Sequence, residues 1–591
     1  IIFYNDSDTT LTHIYLHNWA NGYKNNKAPL AKRLIEDYDK SLHFANQKDR
    51  GFTTIKNLNV DYETATFSEL EDDKIDVIKI VLNTPLSSKK STTINVAYDV
   101  KIPSAKFTRY GKTKTGYHLR YWYLVPAVFK DGWKVMSNLN MDDLLTNSTN
   151  YSIKIKLPKH YFLNSNLTKL KTQEENLNEF LLSGKQRTDV LLHIDTKDDY
   201  KSFNTDKIEI KTDLYNTAID KKLTNDILNR QLLFIGDFLG EYPHKKLLID
   251  EVSQAKNPIY GLNQLPNFIR PFPDVFEWDL TMLKAVTKKY IDNTLLLDKR
   301  KDYWLTDGLQ TYLMMNYVAQ YYPEIKLAGN ISKIWGFRNF NFSKLKFNDK
   351  YPFVYQYTAR QFLDQALNTR SDSLSNFNRK IAGKYKAGLG LRYLADYIGD
   401  TIISSSFKEF YKKNKLNFAK SESFKKIVSK KTSKDINWFF DEYLTTDKKI
   451  DYTIKKAVVL NDSVYVTIKN KRNITAPVAL YGLKNKQVKF KKWLTNIDST
   501  TTVAIPKNGF DRVSLNFENS YPEFNSMDNW KKVGKNILNK PIQFKLYKDI
   551  NDPYYHQIYL QPNIKYNYYD GALLGLRIHN KPILSRNFQF S

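Results

Sequence analysis

Apolar residues recur at every second position through the first third of this chain. They recur at every third or fourth position through the middle, and return to every second position after residue 450. Side chains alternate across a strand and share a helix face at i, i+3 and i+4, so this change of period separates β from α before any other consideration. Ile94, Val96, Tyr98, Val100 and Ile102 fall on one face, as do Tyr151, Ile153, Ile155 and Leu157 ahead of Pro158. Half-buried antiparallel strands carry this pattern, which predicts an N-terminal antiparallel β-domain over residues 1–213, interrupted by a helix at 29–45 that opens on a proline. Helices are predicted at 217–239, 273–297, 306–322, 351–367, 385–415 and 423–444, giving a mainly helical domain over 214–449. Val464, Val466 and Ile468, then Val488 and Phe490, then residues 501–505 and Val513, Leu515 and Phe517 predict a small β-sandwich over 450–525. The fold class is therefore multidomain α+β.

A polar connector at 526–540 leads to a last β-segment, 541–591. Ala572, Leu574, Leu576 and Ile578 alternate there beside Tyr566 and Tyr568, with Asp570-Gly571 as the turn. Two readings fit: the opening strands of an outer-membrane β-barrel, or an edge hairpin. A chain of 591 residues with 41% hydrophobic residues is expected to form three or four domains with sizeable cores. Its lack of cysteine excludes disulfides and thiolate metal sites, and suits an oxidising compartment such as a periplasm. No apolar run is long enough for a transmembrane helix. Both ends, Ile1–Tyr4 and 588–591, read as strands cut at their termini, so the missing export signal carries no weight.

The chemistry-bearing region lies in the helical stretch. Lys284-Ala285-Val286-Thr287-Lys288 is followed, with 18 residues between, by Asp307 within Tyr303-Trp304-Leu305-Thr306-Asp307-Gly308. The layout resembles the aminopeptidase N-like (M1, gluzincin) zinc peptidases, whose H-E-x-x-H motif is followed at that distance by the Glu of W-L-N-E-G. Trp304, Leu305, Gly308 and Asn293 match. The resemblance implies a thermolysin-like helical domain with zinc ligands at 284, 288 and 307 and a general base at 285. Those positions read Lys284, Lys288, Asp307 and Ala285. An ammonium has no lone pair to offer a dication, and alanine accepts no proton from a zinc-bound water. The nine histidines skip the region between His244 and His556. His13 and His17 have ligand spacing but sit in an alternating segment, which reads as a surface strand pair.

The resemblance extends to two further segments. Ala255-Lys256-Asn257-Pro258 stands where the family has G-x-M-E-N, whose Glu anchors a substrate's amino terminus; Lys256 reverses that charge, making Lys256 and Asn257 the substrate-binding candidates. Tyr385-Lys386-Ala387-Gly388 resembles Y-x-K-G, which makes Tyr385 the retained counterpart of an oxyanion-stabilising tyrosine. A helix-packing aromatic is the other reading of Tyr385. Asp307 is expected to take Lys284 or Lys288 as an ion partner in place of the metal, unless both lysines reach into a water-filled cleft.

The expectation is thus a degenerate, inactive family member without zinc or other cofactor: a pseudopeptidase that scaffolds or grips extended polypeptide. Its expected location is the periplasm, attached to the outer membrane through the C-terminal β-segment, with envelope proteins of assembly or secretion machinery as partners. The alternatives are an active zinc metallopeptidase with atypical ligands, and a basic binder of anionic polymers drawn by the net charge of +29. Lysines are spread along the chain without a dense basic run, which argues against nucleic acid.

Overall fold

The computed structural model describes residues 1–173, 177–262, 270–534, 539–584 and 589–590. Its chain divides into two compact units, each assembled from separated stretches. The first comprises Ile1–Tyr260, Asp274–Tyr303 and Phe407–Phe424; the second comprises Gly261–Pro273, Trp304–Ser406 and Lys425–Ser591.

The first unit is built on antiparallel sheets. Ser91–Lys101 lies between Ile2–Tyr4 and Phe52–Val60, and Leu11–His17 pairs with Val77–Leu86. Leu11, Ile14, Leu16, Ile78, Ile80 and Ile94 form one core, the inward half of the alternating pattern. Thr149–Pro158 pairs with Leu177–Arg187, burying Phe180 and Leu182 against Leu163 and Leu192. Helix α1 (Pro29–Glu36) opens on its proline and stops well short of residue 45, where Tyr38 turns at a φ of 66°. The strand Lys246–Ile249 runs parallel to Glu209–Thr212.

Helix α2 (Lys221–Leu239) is capped by Asp220, whose carboxylate accepts from the Lys222 and Leu223 amides. It packs on α4 (Asp274–Asp292) through Asp279, which receives Arg230 Nη2 at 2.5 Å and Gln231 Nε2 at 2.6 Å. Between them in sequence stands the short α3 (Glu251–Lys256).

The second unit contains most of α5 (Tyr303–Tyr321), together with α6 (Lys350–Arg360) and α7 (Gly383–Ile398), around a core of Met315, Tyr351, Tyr355, Ala359 and Leu389. Glycines allow α5 and α7 to approach closely. A Cβ on Gly308 would meet Ala387 Cβ at 3.0 Å, and one on Gly388 would meet Thr311 Cγ2 at 2.4 Å. The stretch expected as one helix over 385–415 is two, α7 and α8 (Asp400–Asn414), because Gly399 at φ 119° breaks it. The stretch at 423–444 likewise divides into α9 (Ser421–Lys431) and a π-turn at Trp438–Tyr443.

Two antiparallel sheets follow. One is Tyr452–Leu460, Ser463–Asn470 and Thr500–Pro506; the other orders Gln487–Leu494, Val478–Lys484, Arg512–Leu515 and Trp530–Lys532. Val464, Val466 and Ile468 of the first and Leu480, Val513 and Leu515 of the second are fully buried. Of the connector expected at 526–540, residues 535–538 lie outside the described residues.

The last sheet has three strands: Ile542–Leu546 runs parallel to His556–Asn567, which pairs antiparallel with Gly571–His579. Its register places Ile542, Phe544, Leu546, His556, Ile558, Leu560, Pro562, Ile564, Tyr566, Ala572, Leu574, Leu576 and Ile578 on one face. That face is open to solvent, with Leu574 83% and Tyr566 78% exposed. Gln543, Lys545, Gln561, Asn563, Lys565 and Arg577 take the other face. These described strands form an open sheet, not a closed barrel; Phe588 and Ser591 of the strand expected at 588–591 lie outside the described residues. No described helix is long and apolar enough to cross a membrane.

Candidate functional site

Four of the residues singled out in the sequence line one cavity of the first unit. Asn257, just past α3, meets Lys284, Ala285 and Lys288 of α4 there, together with Asp250, Ser253, Gln254 and Lys289. The cavity holds about 20 Å³, room for about one water molecule. Helix α4 reaches it with one side only, since Leu280, Leu283, Val286 and Ile291 are buried while Lys284, Ala285 and Lys288 are partly exposed.

The lysines have definite partners. Lys284 Nζ donates to the Pro258 carbonyl at 2.7 Å. Lys288 Nζ lies 3.2 Å from Asp292 Oδ1, and Lys299 Nζ lies 3.5 Å from the other oxygen of that carboxylate. Burial opposes ionisation of Asp292, but Lys288 and Lys299 outweigh it and hold the carboxyl at about 2. Lys289, one residue on, points to Asp250 at 3.1 Å. Asp250 is fully buried, accepts from the Ser253 amide and hydroxyl, and is kept ionised by Lys289 and His193 against the cost of burial.

Lys256 is engaged within the fold. Its ammonium lies 2.7 Å from Asp142 Oδ2, donates to the Asn140 carbonyl and stands 5.0 Å from the Tyr110 ring centre. Arg120 takes the other Asp142 oxygen at 2.9 Å, so this carboxylate too is bridged by two cations. Asn293 donates to the Tyr242 hydroxyl at 2.8 Å, a local packing role.

In the second unit Asp307 takes Lys384 as an ion partner at 3.4 Å, and Trp304 packs on Phe439 and Phe440. Each residue of the expected lysine–Asp307 substitution therefore has a partner inside its own unit. Tyr385 stands edge-on to Tyr351 with centroids 4.7 Å apart, beside the unit's aromatic core. Its neighbour Lys386 is buried, pairing with Asp364 at 3.3 Å, while Lys449 reaches the same carboxylate at 2.8 Å.

These donors do not fit the zinc ion that the resemblance implies. Protonated amines occupy two ligand positions and spend their hydrogens on a carbonyl and a carboxylate. His13 and His17 lie on the strand Leu11–His17, but His17 is not on the surface: it is buried, and its Nε2 accepts from the Met136 amide at 3.0 Å. Asp292, Lys299, Asp250 and Lys289 were missed in the sequence. The i, i+4 spacing of Lys288 and Asp292 was the one signal available for them.

No family model matches the chain, and no curated protein does. Among solved structures it is similar to aminopeptidase A of Legionella pneumophila, determined in complex with aspartic acid. The TM-score is 0.56 at 12% identity over 88% of this chain. The chain spans 56% of the length of that protein. The likeness shows a peptidase-like fold.

Proposed function

We propose that this chain is a non-catalytic, M1 peptidase-like body that binds or scaffolds polypeptide at the periplasmic face of an outer membrane, within machinery for envelope-protein assembly or secretion. The observation that carries the reading is the state of α4: Lys284 donates to the Pro258 carbonyl and Lys288 is paired with Asp292. With Ala285 between them, these three positions offer neither electron pairs for a metal nor a base for water. At the position implied for anchoring an amino terminus, Lys256 would repel the substrate's ammonium, and it is engaged with Asp142.

Attachment to the membrane is supported by the terminal sheet, one face of which is apolar apart from His556 and lies largely open to solvent. Strands of 12 and 9 residues in its hairpin suit a bilayer, which a tilted strand crosses in about 9–11 residues.

The test is metal analysis of the purified chain together with a fluorogenic aminopeptidase assay and anisotropy measurements on a labelled unfolded polypeptide. The expected result is substoichiometric zinc, no turnover, and saturable binding of the polypeptide. Stoichiometric zinc with turnover would replace this reading by that of an active metallopeptidase with atypical ligands.

A further inference from the structure

One apolar cluster of the second unit belongs to neither the cavity nor the terminal sheet. Ile334, Trp335 and Phe337 are 52%, 77% and 53% exposed, and Gly336 between them stands in open space. They sit in a segment of short turns, Gly329–Lys333 and Phe342–Lys344, with no helix or strand face to bury them. From Ile325 to Asn348 the sequence carries Lys326, Lys333, Arg338, Lys344 and Lys346, with carboxylates only at its borders, Glu324 and Asp349. Lys346 pairs with Glu324 at 3.1 Å, and the other four cations lie inside the segment.

The segment is nonetheless held firmly. Asn330 donates its amide to the Pro271 carbonyl at 2.7 Å, and Ser343 Oγ donates to the Phe337 carbonyl. The fully buried Asp549 accepts from the Asn341 amide at 2.6 Å and the Phe342 amide at 3.2 Å. Lys545, on the strand Ile542–Leu546, donates to the Asn339 carbonyl and pairs with Asp549 at 3.3 Å. The exposed aromatics are thus on a loop hydrogen-bonded to the first strand of the terminal sheet, through Lys545 on that sheet's polar face.

We infer that the Ile334–Phe337 tip is a second membrane-contact element, inserting its indole and phenyl rings at the headgroup level of an anionic bilayer. The inference rests on the reading of the terminal sheet as the membrane attachment. Tryptophan favours the membrane interface, where its ring is apolar and its N–H stays wet, and lysines flanking it meet lipid phosphates. A protein partner fits less well. Protein interface cores are depleted in lysine, and four of the five cations here are lysines.

The experiment uses the full chain with vesicles of phosphatidylethanolamine and phosphatidylglycerol, read by co-sedimentation and by quenching of tryptophan fluorescence with brominated lipid. The quenching assigned to Trp335 is the difference between the native chain and Trp335→Phe, which keeps the ring's bulk. A Trp335→Ser/Phe337→Ser variant is expected to bind these vesicles about tenfold more weakly, since binding scales with buried apolar area, and added salt is expected to weaken the native chain. A Phe544→Ser/Leu574→Ser/Leu576→Ser variant tests the sheet separately. If the sheet variant loses binding while the loop variant binds like the native chain and Trp335 is not quenched, the loop inference fails and the attachment stands. If the native chain ignores the vesicles, both fail. Unchanged vesicle binding with loss of a co-purifying protein from the loop variant would assign the tip to a protein partner and overturn the lipid assignment.

Discussion

The Lys288 ammonium stands 3.2 Å from the Asp292 carboxylate one helical turn along α4, and Lys299 holds that carboxylate's other oxygen. At a position implied to coordinate a metal, the cation instead secures the helix that carries it. Asp292 has its carboxyl held at about 2, below its ordinary value. Such a group stabilises the fold above the unfolded pKa and loses that contribution as pH falls through its folded value. Lys288→Met is expected to cost about 2 kcal/mol at pH 7, short of a complete buried-pair loss because Lys299 remains. Urea unfolding at pH 7 and pH 3 checks this. The difference between variant and native chain should shrink at the lower pH, and equal losses at both would disprove it.

The contact of Gly388 with Thr311 makes a steric prediction. Gly388→Ala puts a Cβ 2.4 Å from Thr311 Cγ2 and forces α5 and α7 apart, an overpacking cost of about 1–3 kcal/mol. The double variant Gly388→Ala/Thr311→Ser removes the clashing methyl and should recover part of the loss in thermal melts. Thr311 Cβ stays 2.6 Å from the new methyl, so recovery should be incomplete; a single Gly388→Ala variant that melts like the native chain would disprove the clash.

Asp213 titrates the other way. Burial and the neighbouring Asp250 raise its carboxyl to about 7, although it accepts from the Glu251 amide at 2.8 Å. The folded chain then holds a proton that the unfolded chain has released, so stability falls as pH rises from about 4 to about 7. Asp213→Asn removes that slope. Its melting temperature should match the native chain near pH 4 and exceed it at pH 8. A native curve that rises with pH where the variant's is flat would refute the assignment.

Much of the fold was legible because period-two and period-3.6 burial reports which side chains face a core. Ile153 and Ile155 alternate with exposed Lys154 and Lys156 on Thr149–Pro158, as their spacing requires. Helix ends were harder: the positive φ at Gly399 that ends α7 competes with an apolar pattern continuing through Ile402 and Ile403. In the site, Lys288 and Asp292 could be paired by spacing, but nothing local joins Lys256 to Asp142 or brings Asn257 to the Lys284 side of α4. The Trp335 loop has no period, so only its solvent exposure distinguishes it from a buried aromatic cluster.

The interleaving of the two units has a consequence for synthesis. The unit that begins at Ile1 is not complete until Phe424 has left the ribosome, because Asp274–Tyr303 and Phe407–Phe424 belong to it. At about 5–20 residues per second, the nascent strands wait roughly ten to thirty seconds between the emergence of Tyr260 and that of Phe424. Helix α4 joins the sheets early in that interval, but Phe407–Phe424 is missing until its end. A ribosome-stalled chain ending near residue 300 should therefore be more open to protease and to chaperones than one ending near 450, and cutting the gene at the boundary between strands and helices should not release a folded N-terminal piece.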